Sequence, residues 1–136
     1  MLTHETKLRV QYYETDQMGV VHHSNYIRYF EIGRTEMMSR INLSYKDMED
    51  SGTVMPITNV EVRYCYPAHY DEIICVRSFV KELPKARMTF YYEIYNEAGK
   101  LLADGNTTLA FLNKETGRPQ RVPEMMVKAM EKYLSL

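Results

Sequence analysis

Residues 12–40 read YYETDQMGVVHHSNYIRYFEIGRTEMMSR. Two patterns meet in this stretch. Up to Asn25 it is polar and turn-rich, with Asp16, Gly19 and the pair His22-His23. From Tyr26 onward, Tyr26, Phe30, Gly33, Met37 and Ile41 recur at three- and four-residue steps, the period of a helix with one apolar face. Ile27, Tyr29, Ile32 and Met38 widen that face, while Arg28, Glu31, Thr35 and Ser39 form a narrow polar stripe. The spacing predicts the end of a strand, a polar loop, and a helix of about four turns buried over most of its circumference. Ser24 or Asn25 is placed to cap it, and it ends near Ile41-Asn42. Gly33 costs about 1 kcal/mol against alanine inside a helix. Close approach of another backbone accounts for it, and so does an incidental glycine in an ordinary core helix.

Outward from this helix, Leu8 to Tyr12 alternates as a first strand. Ser44-Tyr45-Lys46-Asp47 has the capping-box pattern and opens a short helix from Tyr45 to Asp50, stopped by Ser51-Gly52. The period then changes to two. Val60, Val62, Tyr64 and Tyr66 share one side of a strand that Pro67 closes. Ile74, Val76, Ser78 and Val80 make the next, and Met88, Phe90, Tyr92 and Ile94 another, with Tyr91 and Tyr95 on its opposite face. A hairpin loop at 96–100 leads to a long strand, Leu101 to Leu112, in which Gly105 suggests a bulge or kink. Pro123 opens a final helix, Glu124 to Tyr133. About four long strands joined by short connections favour antiparallel neighbours. A sheet curled around the apolar helix buries both, an α+β arrangement in one domain over residues 1–136.

The bulk numbers exclude several classes. Seventeen basic and 18 acidic residues give a net charge of −1, so no basic surface argues for nucleic acid. The apolar runs fall short of the ~20 residues of a membrane span. The first ten residues, MLTHETKLRV, lack the apolar stretch of a signal peptide. Cys65 and Cys75 lie in strand-like segments without CxxC spacing and read as reduced, buried thiols of a cytoplasmic protein, a strand-to-strand disulfide being the lesser alternative. Twelve tyrosines, several on the second face of a strand, point to an oligomer.

Asp16 precedes a helix N-terminus, where free N–H groups of His23, Ser24 and Asn25 can stabilise developing negative charge. A carboxylate there suits hydrolytic chemistry on a carbonyl. Alone, an Asp in a polar loop reads equally as an Asx-turn residue, and a histidine at a helix start as a solvated or capping side chain. Adjacent histidines with no His-x3-His or Cys cluster do not make a metal site, and none is expected.

The segment Glu14 to Glu36 resembles the signature of the hotdog-fold acyl-CoA thioesterases of the 4-hydroxybenzoyl-CoA thioesterase group. Thr15-Asp16, Gly19-Val20-Val21, His23, Asn25-Tyr26, Phe30-Glu31 and Arg34 carry the likeness. His22 stands where that family often has tyrosine. The resemblance implies a helix wrapped by an antiparallel sheet, dimers joined sheet edge to sheet edge and paired into a homotetramer, and cofactor-free hydrolysis of an acyl-CoA to a carboxylic acid and CoA. It makes Asp16 the catalytic general base or nucleophile. It turns His23 toward the site, where the ring could orient Asp16 or touch the thioester and the backbone amide could polarise the carbonyl. Tyr26, Arg63, Lys85, Arg87 and Arg118 become candidates for substrate binding, the four cations for the CoA phosphates. Glu31 and Arg34 read as a helical ion pair supporting the site, and Met37, Met38 and Met55 as core filling or an adaptable acyl pocket. Two other readings stay open: a hotdog 3-hydroxyacyl hydratase or dehydratase, and a non-catalytic module that binds acyl thioesters.

Overall fold

The computed structural model describes residues 1–134. Its main sheet has five antiparallel strands: β1 (Leu2–Arg9), β3 (Ile57–Tyr64), β4 (Ile73–Val80), β5 (Arg87–Asn96) and β6 (Leu101–Ala110), in the order β1-β4-β5-β6-β3. A two-residue ladder joins β2 (Thr53–Val54) to β7 (Leu112–Asn113). Three helices complete the chain: α1 (Asn25–Arg40), α2 (Tyr45–Asp50) and α3 (Glu124–Leu134).

Helix α1 lies in the curl of the sheet because the facing sides of both are apolar. Tyr26, Tyr29, Phe30, Met37 and Met38 are buried against Ile74, Val76, Phe90, Tyr92 and Ile94. Phe30 stacks on Tyr92 at 4.2 Å between ring centres and 5° between planes. Two glycines permit the closest approaches. A Cβ at Gly33 would lie 2.9 Å from Val76 Cγ1 and meet the Ser78 hydroxyl, so side chains of β4, not a second backbone, require the glycine. A Cβ at Gly105 would strike the Glu61 carbonyl oxygen and the Phe30 ring. Gly105 pairs in regular register with Val62 and makes no bulge; the irregularities fall at Ile57/Asn59 and Ile94/Tyr95.

Other expectations shift. The first strand runs Leu2–Arg9, not Leu8 to Tyr12, and Tyr12–Glu14 is one turn of 3-10 helix. The inward side of β1 carries Leu2, His4, Thr6 and Leu8, and its two polar members hide the alternation. On α1, Ile27 and Ile32 are exposed and Arg34 is buried, so the water-facing strip is broader than its polar residues suggest. Ser44 and Asp47 do form the reciprocal cap of α2. Cys65 and Cys75 are free and half-buried rather than buried. Two strands, β5 and β6, separate β4 from the β3 edge, which at about 4.8 Å per strand is too wide for a disulfide.

Candidate active site

Asp16 opens a four-residue turn, Asp16-Gln17-Met18-Gly19. Gly19 N–H donates to the Asp16 carbonyl at 3.0 Å, and Met18 N–H donates to Asp16 Oδ1 at 2.8 Å. Asp in the first place and Gly in the fourth are what such a turn favours, and Gly19 takes φ +77°. Asp16 N–H returns to the Val20 carbonyl at 2.9 Å, closing a small hairpin. Val21 N–H bonds the Ala68 carbonyl at 2.8 Å, and Tyr70 N–H the Gly19 carbonyl at 3.3 Å, so the loop is fixed to the segment after β3. One carboxylate oxygen thus serves the turn. The other, Oδ2, makes no hydrogen bond among the described residues and sits on an exposed side chain.

Glu14 fixes the base of the loop. It is 4% exposed, and its Oε1 accepts from Gln11 N–H at 2.7 Å and the Tyr29 hydroxyl at 3.0 Å. Burial, then this carboxylate, pushes the Tyr29 phenol well above its ordinary value. The Glu14 carbonyl accepts from Asn25 Nδ2 at 2.9 Å and from His22 N–H at 2.9 Å, which ties the loop to the first residue of α1. The sequence signal for this role is the place of Glu14 three residues after Gln11, the spacing of a local cap.

At the helix start the donors are unevenly committed. Asn25 N–H is bonded to the His22 carbonyl at 3.0 Å, so Asn25 cannot supply the oxyanion donor expected of it. Ser24 precedes α1 but does not cap it; its hydroxyl lies 2.8 Å from His22 Nδ1, and its N–H reaches the same nitrogen at 3.3 Å. The His23 N–H has no hydrogen-bond partner among the described residues. The His22 and His23 rings lie 4.2 Å apart. Among the described residues, no three His, Cys, Asp or Glu side chains are grouped as a metal site.

Asp16, Val21, His23, Tyr26, Tyr64 and Tyr66 surround an open cleft of ≈ 350 Å³. Tyr26 is buried in its wall, its hydroxyl accepting from Ala68 N–H at 3.3 Å, and burial raises its phenol. A larger hollow, ≈ 430 Å³, lies on the outer face of the sheet around Tyr91 and Glu93. Its one cation, Arg63, is held by Asp104 Oδ2 at 2.5 Å, and neither Asp16 nor the α1 N-terminus borders it. The smaller cleft is the one that brings Asp16 together with His23 at the start of α1.

The structure separates several residues that the sequence had grouped. Arg34 does not pair with Glu31; it turns inward to the hydroxyls of Tyr45, Tyr92 and Thr107. Arg63 follows the two-residue alternation of β3 and faces away from Tyr64 and the cleft. Arg87 pairs with Ala110 and Tyr64 with Ala103, seven steps along β6, or roughly 24 Å at the rise of a strand. Lys85 and Arg118 hold to that far end through Val122 N–H and Asn113 N–H. None of the three touches the cleft of its own chain. Met37, Met38 and Met55 belong to the core, not to the cleft wall. Tyr64 and Tyr66, absent from the expected site, do line it; their alternation before Pro67 was the available sign.

An antiparallel sheet curled around one long helix is the hotdog fold. The model of the thioesterase-like superfamily matches residues 10–130. YneP of Bacillus subtilis (strain 168), which bears the provisional name of an acyl-CoA thioesterase, is 34% identical over 113 residues, 83% of this chain and 82% of its own. The acyl-CoA thioester hydrolase YbgC of Escherichia coli O157:H7 is 24% identical over 120 residues, covering 88% and 90%. The crystal structure of the DHNA-CoA thioesterase of Staphylococcus aureus superposes with a TM-score of 0.83 at 33% identity, over 99% of this chain and 85% of that one. The chain belongs to the thioesterase-like superfamily.

Proposed function

We propose that this protein hydrolyses an acyl-CoA thioester to a carboxylic acid and free CoA, with Asp16 as the attacking group or its base. The observation that carries the reading is one cleft lined by both Asp16 and His23, whose Oδ2 and N–H make no hydrogen bond among the described residues. A thioester carbonyl seated there has an anionic oxygen to attack it, or to take a proton from water, and a donor for the oxyanion. Collapse of the tetrahedral intermediate breaks the C–S bond, and the CoA thiolate takes up a proton. In the nucleophilic variant, water then hydrolyses the Asp16 anhydride. The names of the relatives point to the same substrate class.

A second copy completes this reading. Strand β3 is an edge, with Ile57 and Tyr64 exposed on it and Tyr66 just beyond it. Antiparallel pairing of two β3 edges sets the Tyr64 end of one copy beside the Ile57 end of the other. That end of the sheet is where Lys85, Arg87 and Arg118 lie. The far-end cations would then meet the CoA phosphates of the neighbouring cleft in a dimer, two of which pair into a homotetramer. Two free thiols fit a reducing cytoplasm. Among the described residues, no helix is long and apolar enough to cross a membrane.

The test is thiol release across a panel: benzoyl-CoA, hexanoyl-CoA, palmitoyl-CoA and crotonyl-CoA. Free thiol should appear in step with acid for at least one saturated or aromatic member. Loss of the crotonyl double bond without thiol release would instead assign the cleft to hydration.

A further inference from the structure

We infer that Tyr64 is a positioning residue for His23, and through it for the donor that meets the oxyanion; this rests on the thioesterase reading above. Tyr64 ends the edge strand β3, 41 residues along the chain from His23, and touches it twice. Its hydroxyl donates to the His23 carbonyl at 3.1 Å, and its ring meets the His23 imidazole edge-on, 6.4 Å between centres at 85°. The same ring stands edge-on to Tyr26 at 5.1 Å, which fixes its own direction. All three residues line the cleft with Asp16.

His23 needs such a hold. It lies in the turn before α1, where Ser24 has spent its hydroxyl on His22 and gives the helix no side-chain cap. Its N–H has no hydrogen-bond partner among the described residues, and its ring meets the exposed rings of His22 and Tyr64. The Asn25-to-Glu14 bond anchors the chain just after His23 but does not set the plane of the His23–Ser24 peptide. The Tyr64 hydroxyl does, together with Tyr26 N–H, which donates to the same carbonyl at 3.3 Å. The Ser24 N–H at the other end of that peptide is bonded to His22 Nδ1 at 3.3 Å and only reports the contact; the donor left for the oxyanion is the N–H of His23, the residue whose carbonyl side Tyr64 holds. A donor group is worth most when fixed before charge develops. The phenol therefore acts on the transition state more than on bound substrate.

The experiment compares Tyr64→Phe with wild type and with Asp16→Asn, using benzoyl-CoA and hexanoyl-CoA as probes. Phenylalanine keeps the ring contacts with His23 and Tyr26 and removes only the hydroxyl. With the outright loss of an oxyanion donor worth about 10²–10³ in kcat, loss of its support should lower kcat about tenfold and change KM less than about twofold. The Ser24 amide resonance should move in the 1H–15N spectrum, while the melting temperature stays. Tyr64→Leu should show no further fall in kcat beyond that caused by packing, read from its melting temperature. Unchanged kcat in a folded Tyr64→Phe, with Asp16→Asn inactive, overturns the role of Tyr64 and leaves the thioesterase reading intact. Absence of thiol release from wild type with every probe overturns both. A fall in kcat with an unmoved Ser24 amide would show that the hydroxyl acts elsewhere, and also overturns the inference.

Discussion

The Nε–H of Arg34 donates to the Tyr45 hydroxyl at 2.6 Å, and among the described residues no carboxylate pairs with this buried guanidinium. Nη1 reaches the hydroxyls of Tyr92 at 3.1 Å and Thr107 at 3.5 Å. A charge in the interior without a counter-ion is costly unless polar groups face it. Here α1, α2, β5 and β6 each bring a group to the cluster. Burial works to lower the Arg34 pKa, but Tyr92 and Tyr45 outweigh it and hold the cation above its ordinary range.

Removing one of these hydroxyls should therefore cost more than an average hydrogen bond. Tyr45→Phe leaves the Nε–H without an acceptor, and bonds to charged groups are worth about 1.5–3 kcal/mol. Urea unfolding should show a loss of that size. A loss under about 0.5 kcal/mol would mean that water replaces the phenol and that Arg34 is less isolated than its burial implies.

The two tight glycines should respond differently to alanine. At Gly33 the new methyl meets side chains, and the gain in helix propensity, about 1 kcal/mol, offsets part of an overpacking cost of about 1–3 kcal/mol. Ser78 Oγ has no hydrogen-bond partner among the described residues, so Ser78→Ala added to Gly33→Ala should recover part of the loss. At Gly105 the obstacle is the Glu61 carbonyl oxygen, and backbone cannot step aside without opening the β3–β6 ladder. Gly105→Ala should lose more than about 3 kcal/mol, at the upper end of overpacking. Thermal unfolding of the three variants decides it, and equal losses at both glycines would contradict the geometry.

These contrasts mark what could be read from residue order. Helix α1 and strands β4, β5 and β6 declare themselves because each buries one side and so imposes a period of 3.6 or two. The Asp16 turn is equally legible, since Asp-x-x-Gly carries its own chemistry. The partners of Arg34 were not, because helical spacing names only Glu31 as a neighbour while the hydroxyls arrive from three other elements. Strand β1 was half hidden by His4 and Thr6, polar residues on an inward face. The separation of Arg87 from Tyr64 at the cleft follows from strand order and register, which residue patterning does not contain.

His4 Nε2 lies 3.3 Å from Glu36 Oε1, linking β1 to α1, and Arg40 approaches the same oxygen at 3.6 Å. Partial burial works to raise the Glu36 carboxyl, yet the Thr6 hydroxyl, His4 and Arg40 together hold it below its ordinary 4.5. A carboxylate depressed in the folded state stabilises the fold above its unfolded value and loses that contribution as pH falls through the folded one. The side chain is 34% exposed, so the effect is screened to no more than about 1 kcal/mol. Glu36→Gln should melt below wild type at pH 7, and the two curves should converge below about pH 4. A gap that persists at low pH would point to shape rather than charge.

If the far-end cations serve the cleft of a neighbouring copy, defects in them should complement. Arg87→Ala should raise KM for benzoyl-CoA more than it lowers kcat, since holding a remote nucleotide is uniform binding. Mixed after unfolding and refolding with Asp16→Asn, it should yield hybrids with one intact site, Asp16 from one chain and Arg87 from the other. A class of sites with wild-type KM should then appear. Its absence, or a fully active monomer at micromolar concentration, removes the shared site.

The Asp16 turn permits a sharper test of the chemistry than substitution usually allows. Oδ1 accepts from Met18 N–H at 2.8 Å, so loss of activity on removing the side chain would not by itself separate catalysis from turn formation. Asparagine keeps an acceptor at that position and preserves the turn, whereas alanine removes both functions. Asp16→Asn should melt as wild type does, and Asp16→Ala should melt lower by the worth of one partly exposed hydrogen bond, about 1 kcal/mol. If Oδ2 is the reacting atom, both variants lose it, and both should lose kcat by at least about a hundredfold, the low end of what general base assistance supplies. If Asp16 only shapes the loop, kcat should follow stability, with Asp16→Asn near wild type and Asp16→Ala impaired. Binding of CoA, followed by calorimetry, should survive in Asp16→Asn on either account. The comparison therefore rests on two numbers per variant, kcat and melting temperature. An active, fully folded Asp16→Asn would take the carboxylate out of the mechanism and return Asp16 to the role of a turn residue.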